Sequence, residues 1–156
     1  DWAPANASAF PGDVDEPTDT LGPEQLDIAK PEHDGWVFTG RYCRPSGTMT
    51  ITVPGAPCLA QHGWMLRVGC HTDDVAAADV WNRYPVVTKT IPLCGVSTSI
   101  TSCFGGLVYL VPLPNATPVR CIVSGGVRAP WYRAATDSFI PGPAPWGELD
   151  CGRVVL

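Results

Sequence analysis

The side chains that could carry metal or acid–base chemistry are few and poorly spaced for it. The sequence has three histidines, His33, His62 and His71, and no two of them are four residues apart. A zinc metalloprotease needs two histidines one helical turn apart with a glutamate beside them, as in H-E-x-x-H. These residues therefore predict no zinc centre.

A second group of ligand-type atoms is local. Cys70 and His71 stand just before Asp73 and Asp74. Neighbouring residues of a strand point to opposite faces, so we interpret this segment as a turn and a helix cap, not a metal site. Neither a G-x-S-x-G elbow nor a phosphate-cradling glycine loop is found. We predict no catalytic residue, no metal ligand and no cofactor.

The seven cysteines are a stronger signal. None forms a C-x-x-C pair, which argues against a zinc ribbon or a thioredoxin-type site. Dispersed cysteines are typical of disulfides in an oxidising compartment. Spacing leaves the pairing open, and the predicted strands favour three bridges with Cys70 as a free thiol in an apolar strand. The candidate pairs are Cys43–Cys58, Cys94–Cys103 and Cys121–Cys151.

Two sequons favour the same compartment. Asn6 and Asn115 each begin an N-x-[ST] triplet and are predicted N-glycosylation acceptors. No run of about 18 apolar residues occurs, so we expect no membrane span. The chain begins at Asp1 without an initiator Met or a hydrophobic signal, and it ends in a strand-like segment at 152–156. We therefore expect a processed form or a piece of a longer protein, located outside the cell or at its surface.

Charge is unevenly spread. Residues 1–34 hold nine acidic residues against Lys30 alone, in a chain of net charge −5. We predict that they form an extended, acidic, proline-rich arm or linker, with one short helix at 23–30. Residues 35–156 are predicted to form the folded module. An acidic leader argues against nucleic acid as a partner.

The module has the pattern of an all-β protein. Its 17 prolines and 16 glycines favour short strands joined by many turns. The first two predicted strands read as a hairpin, and the continuous apolar run at 106–112 is typical of a central strand buried on both faces. We predict a two-sheet β-sandwich with a short helix near 74–82 and glycine pairs that permit tight turns. Strands are predicted over 36–43, 48–53, 64–70, 85–91, 106–112, 118–124 and 126–133.

Binding chemistry has more support than catalysis. Trp81 and Trp131 lie near predicted turns, with Arg83 and Arg133 close in sequence. Exposed aromatic rings stack on the apolar faces of sugars and arginines pair with carboxylates, so these four residues are candidate ligand contacts. Tryptophans are highly buried on average, and core packing is the alternative for each.

Five ordered segments resemble a known family. They are 68–74 (VGCHTDD), 83–88 (RYPVVT), 104–110 (FGGLVYL), 129–132 (APWY) and 143–149 (PAPWGEL). In that order and spacing they resemble the opening section of the enhancin-like, mucin-degrading metallopeptidase domain, which TRP-channel-associated factors also carry. The resemblance covers roughly residues 36–156. It implies a β-rich section that precedes a zinc-binding gluzincin part, and the family's catalytic residues map onto no position of this sequence.

Three functions are consistent with these features. The first is the non-catalytic β section of an extracellular enhancin-like protein, which braces a catalytic part or helps to position a glycoprotein or mucin substrate. The second is a structural protein–protein interaction module of an extracellular assembly. The third is a glycan-binding module. The expected partners are other protein domains or subunits, and glycans or glycoproteins.

Overall fold

The fold is built from short β-strands. The computed structural model describes residues 14, 20–33, 35–57, 61–73, 75–80, 83–133 and 138–140, and this part contains strands and no helix. The strands are β1 Glu24–Ile28, β2 Val37–Cys43, β3 Thr48–Thr52, β4 Gln61–Val68, β5 Lys89–Cys94, β6 Ser97–Thr101, β7 Gly106–Pro112, β8 Val119–Gly125, β9 Val127–Arg128, β10 Trp131–Arg133 and β11 Ser138–Ile140.

The strands form two antiparallel sheets and a small ribbon. Sheet A has the order β1-β8-β3-β6, and sheet B has the order β5-β4-β7-β2-β9. β10 and β11 pair only with each other in the described part. The all-β sandwich predicted from the sequence is confirmed, and β7 lies at the centre of sheet B as expected. Burial alternates along β7, however, so only one of its faces is fully buried.

The main core lies between the two sheets. Sheet A contributes Met49 and Ile51, and sheet B contributes Leu66 and Leu110, all with no exposed surface. Trp64 lies in the same core with 1% of its surface exposed, and its indole Nε1 donates a hydrogen bond to the Thr117 carbonyl at 2.8 Å. Alternation of apolar and polar residues along each strand produces this arrangement, because successive side chains point to opposite faces.

A buried arginine links the sheets at one edge. Arg41 of β2 is 1% exposed and donates to the carbonyl oxygens of Leu21, Gly22 and Gly125. Its guanidinium also pairs with the Glu24 carboxylate at 3.2 Å. These contacts fasten β1 and the residues before it to sheet B, so residues 20–28 belong to the folded module.

Tight turns use the residues that permit them. Both glycine pairs, at 105–106 and 125–126, have positive φ throughout, which confirms their predicted role. A Cβ on Gly105 would lie 2.5 Å from the Cys43 carbonyl oxygen, so only glycine fits. Ser46 is the non-glycine residue with positive φ (61°) in the turn closed by the Gly47 N–H donating to the Arg44 carbonyl at 2.8 Å.

Several local predictions are wrong. Residues 75–80 form turns and bends, not the short helix predicted near 74–82. Asp73, the expected helix cap, pairs instead with Arg83. Residues 24–28 are neither an extended arm nor part of a helix, because β1 pairs with β8. β2 and β3 do not form a hairpin, since the turn between them passes from sheet B to sheet A.

Candidate interaction surface

Three of the family-like segments meet at one end of the sandwich, which we call the motif end: residues 69–73, 83–86 and 104–106. The Gly69 N–H donates to the Leu107 carbonyl at 2.8 Å, and a Cβ on Gly106 would lie 2.8 Å from the Gly69 Cα. The Tyr84 and Phe104 rings pack with centroids 4.9 Å apart. Segments far apart in sequence thus form one packed unit.

An ion pair closes the long loop between β4 and β5. The Arg83 guanidinium binds the Asp73 carboxylate and donates to the carbonyl oxygens of Tyr84 and Pro85, the latter at 3.2 Å. The Arg83 side chain is only 16% exposed. This arginine therefore holds the loop together. That structural role is enough to explain its place in a family-like segment, and no ligand needs to be invoked.

The same loop leaves apolar side chains in contact with solvent. Val80 is 73% exposed, Val86 53% and Tyr84 45%. Large apolar residues exposed together are typical of interaction surfaces, whereas single ones are common anywhere. The motif end is therefore the best candidate surface for another protein or domain.

The outer face of sheet B continues from the motif end as an aromatic row: Trp36, Phe38, Tyr109 and Trp131. The Trp36 and Phe38 ring centroids each lie 5.3 Å from that of Tyr109, and Phe38 lies 6.1 Å from Trp131. Phe38 and Tyr109 are also register partners on β2 and β7. Such edge-to-face and tilted contacts stabilise aromatic clusters beyond their buried area.

Arg67 connects the aromatic row to the motif end. Its guanidinium lies 4.5 Å from the centre of the Trp36 ring, a cation–π contact. It donates to the Gly69 carbonyl at 3.0 Å, to Thr90 Oγ1 at 3.2 Å and to the His71 carbonyl. One side chain thus fixes both a ring of the row and the start of the β4–β5 loop.

Burial shapes the electrostatics of this face. Loss of solvation raises the pKa of Tyr109 to about 12, and Arg67 opposes that rise. Loss of solvation also lowers the pKa of Arg67. The phenol is therefore neutral at neutral pH, and its ring packs against Trp36 and Phe38.

Two of the four predicted ligand contacts, Trp131 and Arg83, have described side chains, and each has a structural role of its own. Trp131 lies in the aromatic row over Gly40, where a Cβ would be 3.5 Å from its ring. Arg83 is used by the Asp73 ion pair at the motif end. Arg133 lies in β10, but its side chain falls outside the described residues, as does all of Trp81.

Sequence reasoning missed Trp36, Arg67 and Tyr109 as organising residues. A signal was present: in β4 and β7, Arg67 and Tyr109 occupy the positions that alternate with the buried ones. The cross-strand register that brings Arg67 beside Tyr109 was not available from one sequence.

The cysteines are free thiols wherever the structure describes them. Cys94 and Cys103, predicted to pair, are both free and partly buried. Cys43 and Cys121 are buried and free, and their predicted partners Cys58 and Cys151 lie outside the described residues. Cys70 is exposed beyond the end of β4, so its predicted place inside an apolar strand is wrong.

The sequons fall in different parts of the chain. Asn115 is exposed in the turn between β7 and β8, and Asn6 lies outside the described residues. Glycosylation at either position stays a prediction.

Two other features concern only the described part of the chain. No three His, Cys, Asp or Glu side chains in it come together as metal ligands. It also contains no helix with the length and apolar character needed to cross a membrane. The His62 Nε2 donates a hydrogen bond to the Gly95 carbonyl oxygen at 2.8 Å, which is a structural use of the ring.

Comparison with known proteins identifies relatives of the whole sandwich. Residues 23–123 match the N-terminal domain of M60-like peptidases. The chain is 31% identical over 134 residues to TRPM8 channel-associated factor 2 of Homo sapiens, covering 80% of this chain and 14% of that protein. It is 30% identical over 131 residues to the homolog in Danio rerio, covering 78% and 14%. The chain thus spans about a seventh of the length of these curated relatives.

Solved structures share the fold. The metallopeptidase IMPa from Pseudomonas aeruginosa, in complex with an O-glycopeptide, has a TM-score of 0.52 and 24% identity over 76% of this chain and 14% of that chain. A functionally unknown conserved protein from Bacillus anthracis has a TM-score of 0.50 and 18% identity over 70% and 23%. At these identities the likeness is one of architecture.

Proposed function

The chain belongs to the family of N-terminal domains of M60-like peptidases, and from that membership we propose that it is the non-catalytic β module that braces the remainder of an extracellular or cell-surface protein. The finer part of the proposal is that the module helps to seat a glycoprotein or mucin substrate. Its support is the family-like segments and the two sequons, which favour a secretory route.

One observation carries the bracing role. Three of the segments that resemble the family converge at the motif end and leave Tyr84 and Val86 exposed there. The loop that presents them is closed by the Asp73–Arg83 ion pair and packed through Tyr84 on Phe104. A held loop with exposed apolar side chains suits a contact between domains of one chain.

A paired substitution in the full-length protein tests this role. Val86→Ser combined with Tyr84→Ser removes apolar contact area from the motif end. Val96→Ser combined with Leu113→Ser is the matched control, because both side chains are 38% exposed and lie in turns away from the motif end. Calorimetry should show the module unfolding separately from the remainder in the first variant only. Equal behaviour of the two variants would remove the motif end as the bracing surface.

A second function has one specific support. Relatives at 30–31% identity are named as factors associated with the TRPM8 channel, so a separate protein partner is a candidate for the same surface. Size-exclusion chromatography of the isolated module with its own remainder distinguishes the two functions. A module that stays apart from the remainder at high concentration would favour the separate partner.

A further inference from the structure

A cleft lies at the end of the sandwich opposite the motif end. It encloses about 330 Å³ and is lined by Lys30, His33, Gly35, Trp36 and residues 111–114. Small-molecule sites occupy roughly 300–1,000 Å³ and are mostly apolar with a few placed polar groups. This cleft is open to solvent and offers apolar and polar surface in nearly equal measure: Trp36, Val111 and two prolines form the apolar wall, and Lys30 and His33 supply polar groups.

The indole of Trp36 is held in place by its own neighbours. Arg67 lies 4.5 Å from the ring centre, and Tyr109 meets the ring edge-on with centroids 5.3 Å apart. A ring fixed in this way loses little freedom when a ligand packs on it, which favours binding.

Lys30 stands apart from the other basic side chains that the structure describes. Its ammonium group has no carboxylate or carbonyl partner among the described residues, whereas each of the others interacts with at least one other group. Those others are Arg41, Arg44, Arg67, Arg83, Lys89, Arg120 and Arg128. The nearby Glu32 is exposed and does not line the cleft. The cleft thus presents a positive charge that no group of the described chain neutralises.

We propose that this cleft binds a small carboxylate whose carbon skeleton is a ring with an apolar face. The carboxylate pairs with the Lys30 ammonium and accepts a hydrogen bond from the His33 imidazole, while the ring lies against Trp36 and the prolines. Acidic sugars and aromatic acids share this chemistry. The inference does not depend on the bracing role, because the cleft is remote from the motif end.

Titration of the chain followed by amide NMR shifts tests the proposal. Glucuronate and benzoate represent the two sources, and glucose is the neutral ring. We expect saturable shifts at the amides of the lining residues Lys30, His33, Gly35, Trp36, Val111 and Leu113 for at least one acid, with a Kd on the order of 1 mM for a ligand this small. The acid that saturates identifies the source, and glucose should leave these residues unchanged.

Matched lysine variants locate the charge. Lys30→Met should weaken binding about tenfold, as expected for loss of a charged hydrogen bond. Lys89→Met should bind normally, because that lysine donates to the Thr101 carbonyl at the other end of the sandwich. No saturable shift with either acid, equal shifts with glucose, or equal binding by Lys30→Met and the unaltered chain would each overturn the proposal.

Discussion

The two outer faces of the sandwich carry different kinds of side chain. On sheet A, three cross-strand pairs of hydroxyl groups run across β3 and β6: Thr48–Thr101 at 2.9 Å, Thr50–Ser99 at 2.9 Å and Thr52–Ser97 at 3.5 Å. On sheet B, the equivalent positions hold the aromatic row and Arg67. Sheet A satisfies its outer groups within the sheet, whereas sheet B uses them to hold loops in place.

This difference between the two outer faces shows which of them is connected to the motif end. We call the three hydroxyl pairs across β3 and β6 the hydroxyl ladder. Its side chains are short and lie on the solvent side of sheet A, so a substitution of one residue affects only the residue paired with it. On sheet B, Trp36 of the aromatic row lines the Lys30 cleft and contacts Arg67, which in turn holds the β4–β5 loop at Gly69 and His71. A change on sheet B should therefore reach the motif end, and a change on sheet A should not.

The largest expected effect is at Tyr109. Tyr109→Ala removes two ring contacts and a half-buried phenol, and should lower the free energy of unfolding by about 2–3 kcal/mol. Urea unfolding of the chain measures it. Thr50→Ala is the matched control on sheet A. Equal losses in the two variants would show that the two faces contribute alike.

Arg67 provides the next test. Arg67→Met keeps the length of the side chain but removes the cation–π contact and the hydrogen bonds to the Gly69 and His71 carbonyls. The free energy of unfolding should fall by about 2 kcal/mol. Amide exchange should also accelerate at residues 69–73.

An arginine on sheet A is the control for that variant. Arg120 pairs with Asp27 at 2.6 Å, but both side chains are about two-thirds exposed. Arg120→Met should leave stability unchanged within error, because solvent screens exposed ion pairs. A loss as large as that of Arg67→Met would contradict the contrast between the faces.

High pH should weaken sheet B through Tyr109. Burial raises the pKa of this phenol to about 12 from an ordinary value near 10. The folded state thus favours the neutral phenol, so its contribution is complete below pH 10 and is lost as the pH rises from 10 towards 12.

Tyr109→Phe isolates that contribution. Burial also raises the pKa of Cys43 and of Cys121 to about 11, and both thiols destabilise the fold in the same direction at high pH. Both thiols are present in the unaltered protein and in the Tyr109→Phe variant. The difference between the two proteins in free energy of unfolding therefore reports the Tyr109 hydroxyl. Urea unfolding from pH 8 to 11.5 should show a shallower decline for Tyr109→Phe. Parallel declines would mean that the phenol stays solvated.

The sandwich could be predicted because its most regular strands have clear local sequence patterns. β7 was predicted at its observed bounds, 106–112, since a run of β-branched and aromatic residues between a glycine pair and a proline has few other solutions. The alternating run at 48–53 matched β3 within a residue for the same reason.

The sequence could not predict elements that depend on distant partners. Pro23 and the acidic residues after it are typical of a helix start. Residues 24–28 nevertheless form a strand, because they pair with β8 and because Arg41 forms an ion pair with Glu24. β6 was not among the predicted strands, because serine is a poor strand former unless its hydroxyl pairs across strands, as that of Ser99 does with Thr50. The Trp36–Arg67–Tyr109 arrangement likewise needs the sheet register.

The smallest expected effect is in the hydroxyl ladder itself. In a double-mutant cycle of Thr50→Ala and Ser99→Ala, the coupling between the two hydroxyls should be about 0.5 kcal/mol, because water replaces each lost partner on an exposed face. Neither variant should alter amide exchange at residues 69–73. A coupling above roughly 1.5 kcal/mol, or faster exchange at the motif end, would show that sheet A also holds the loops and that the two faces act as one.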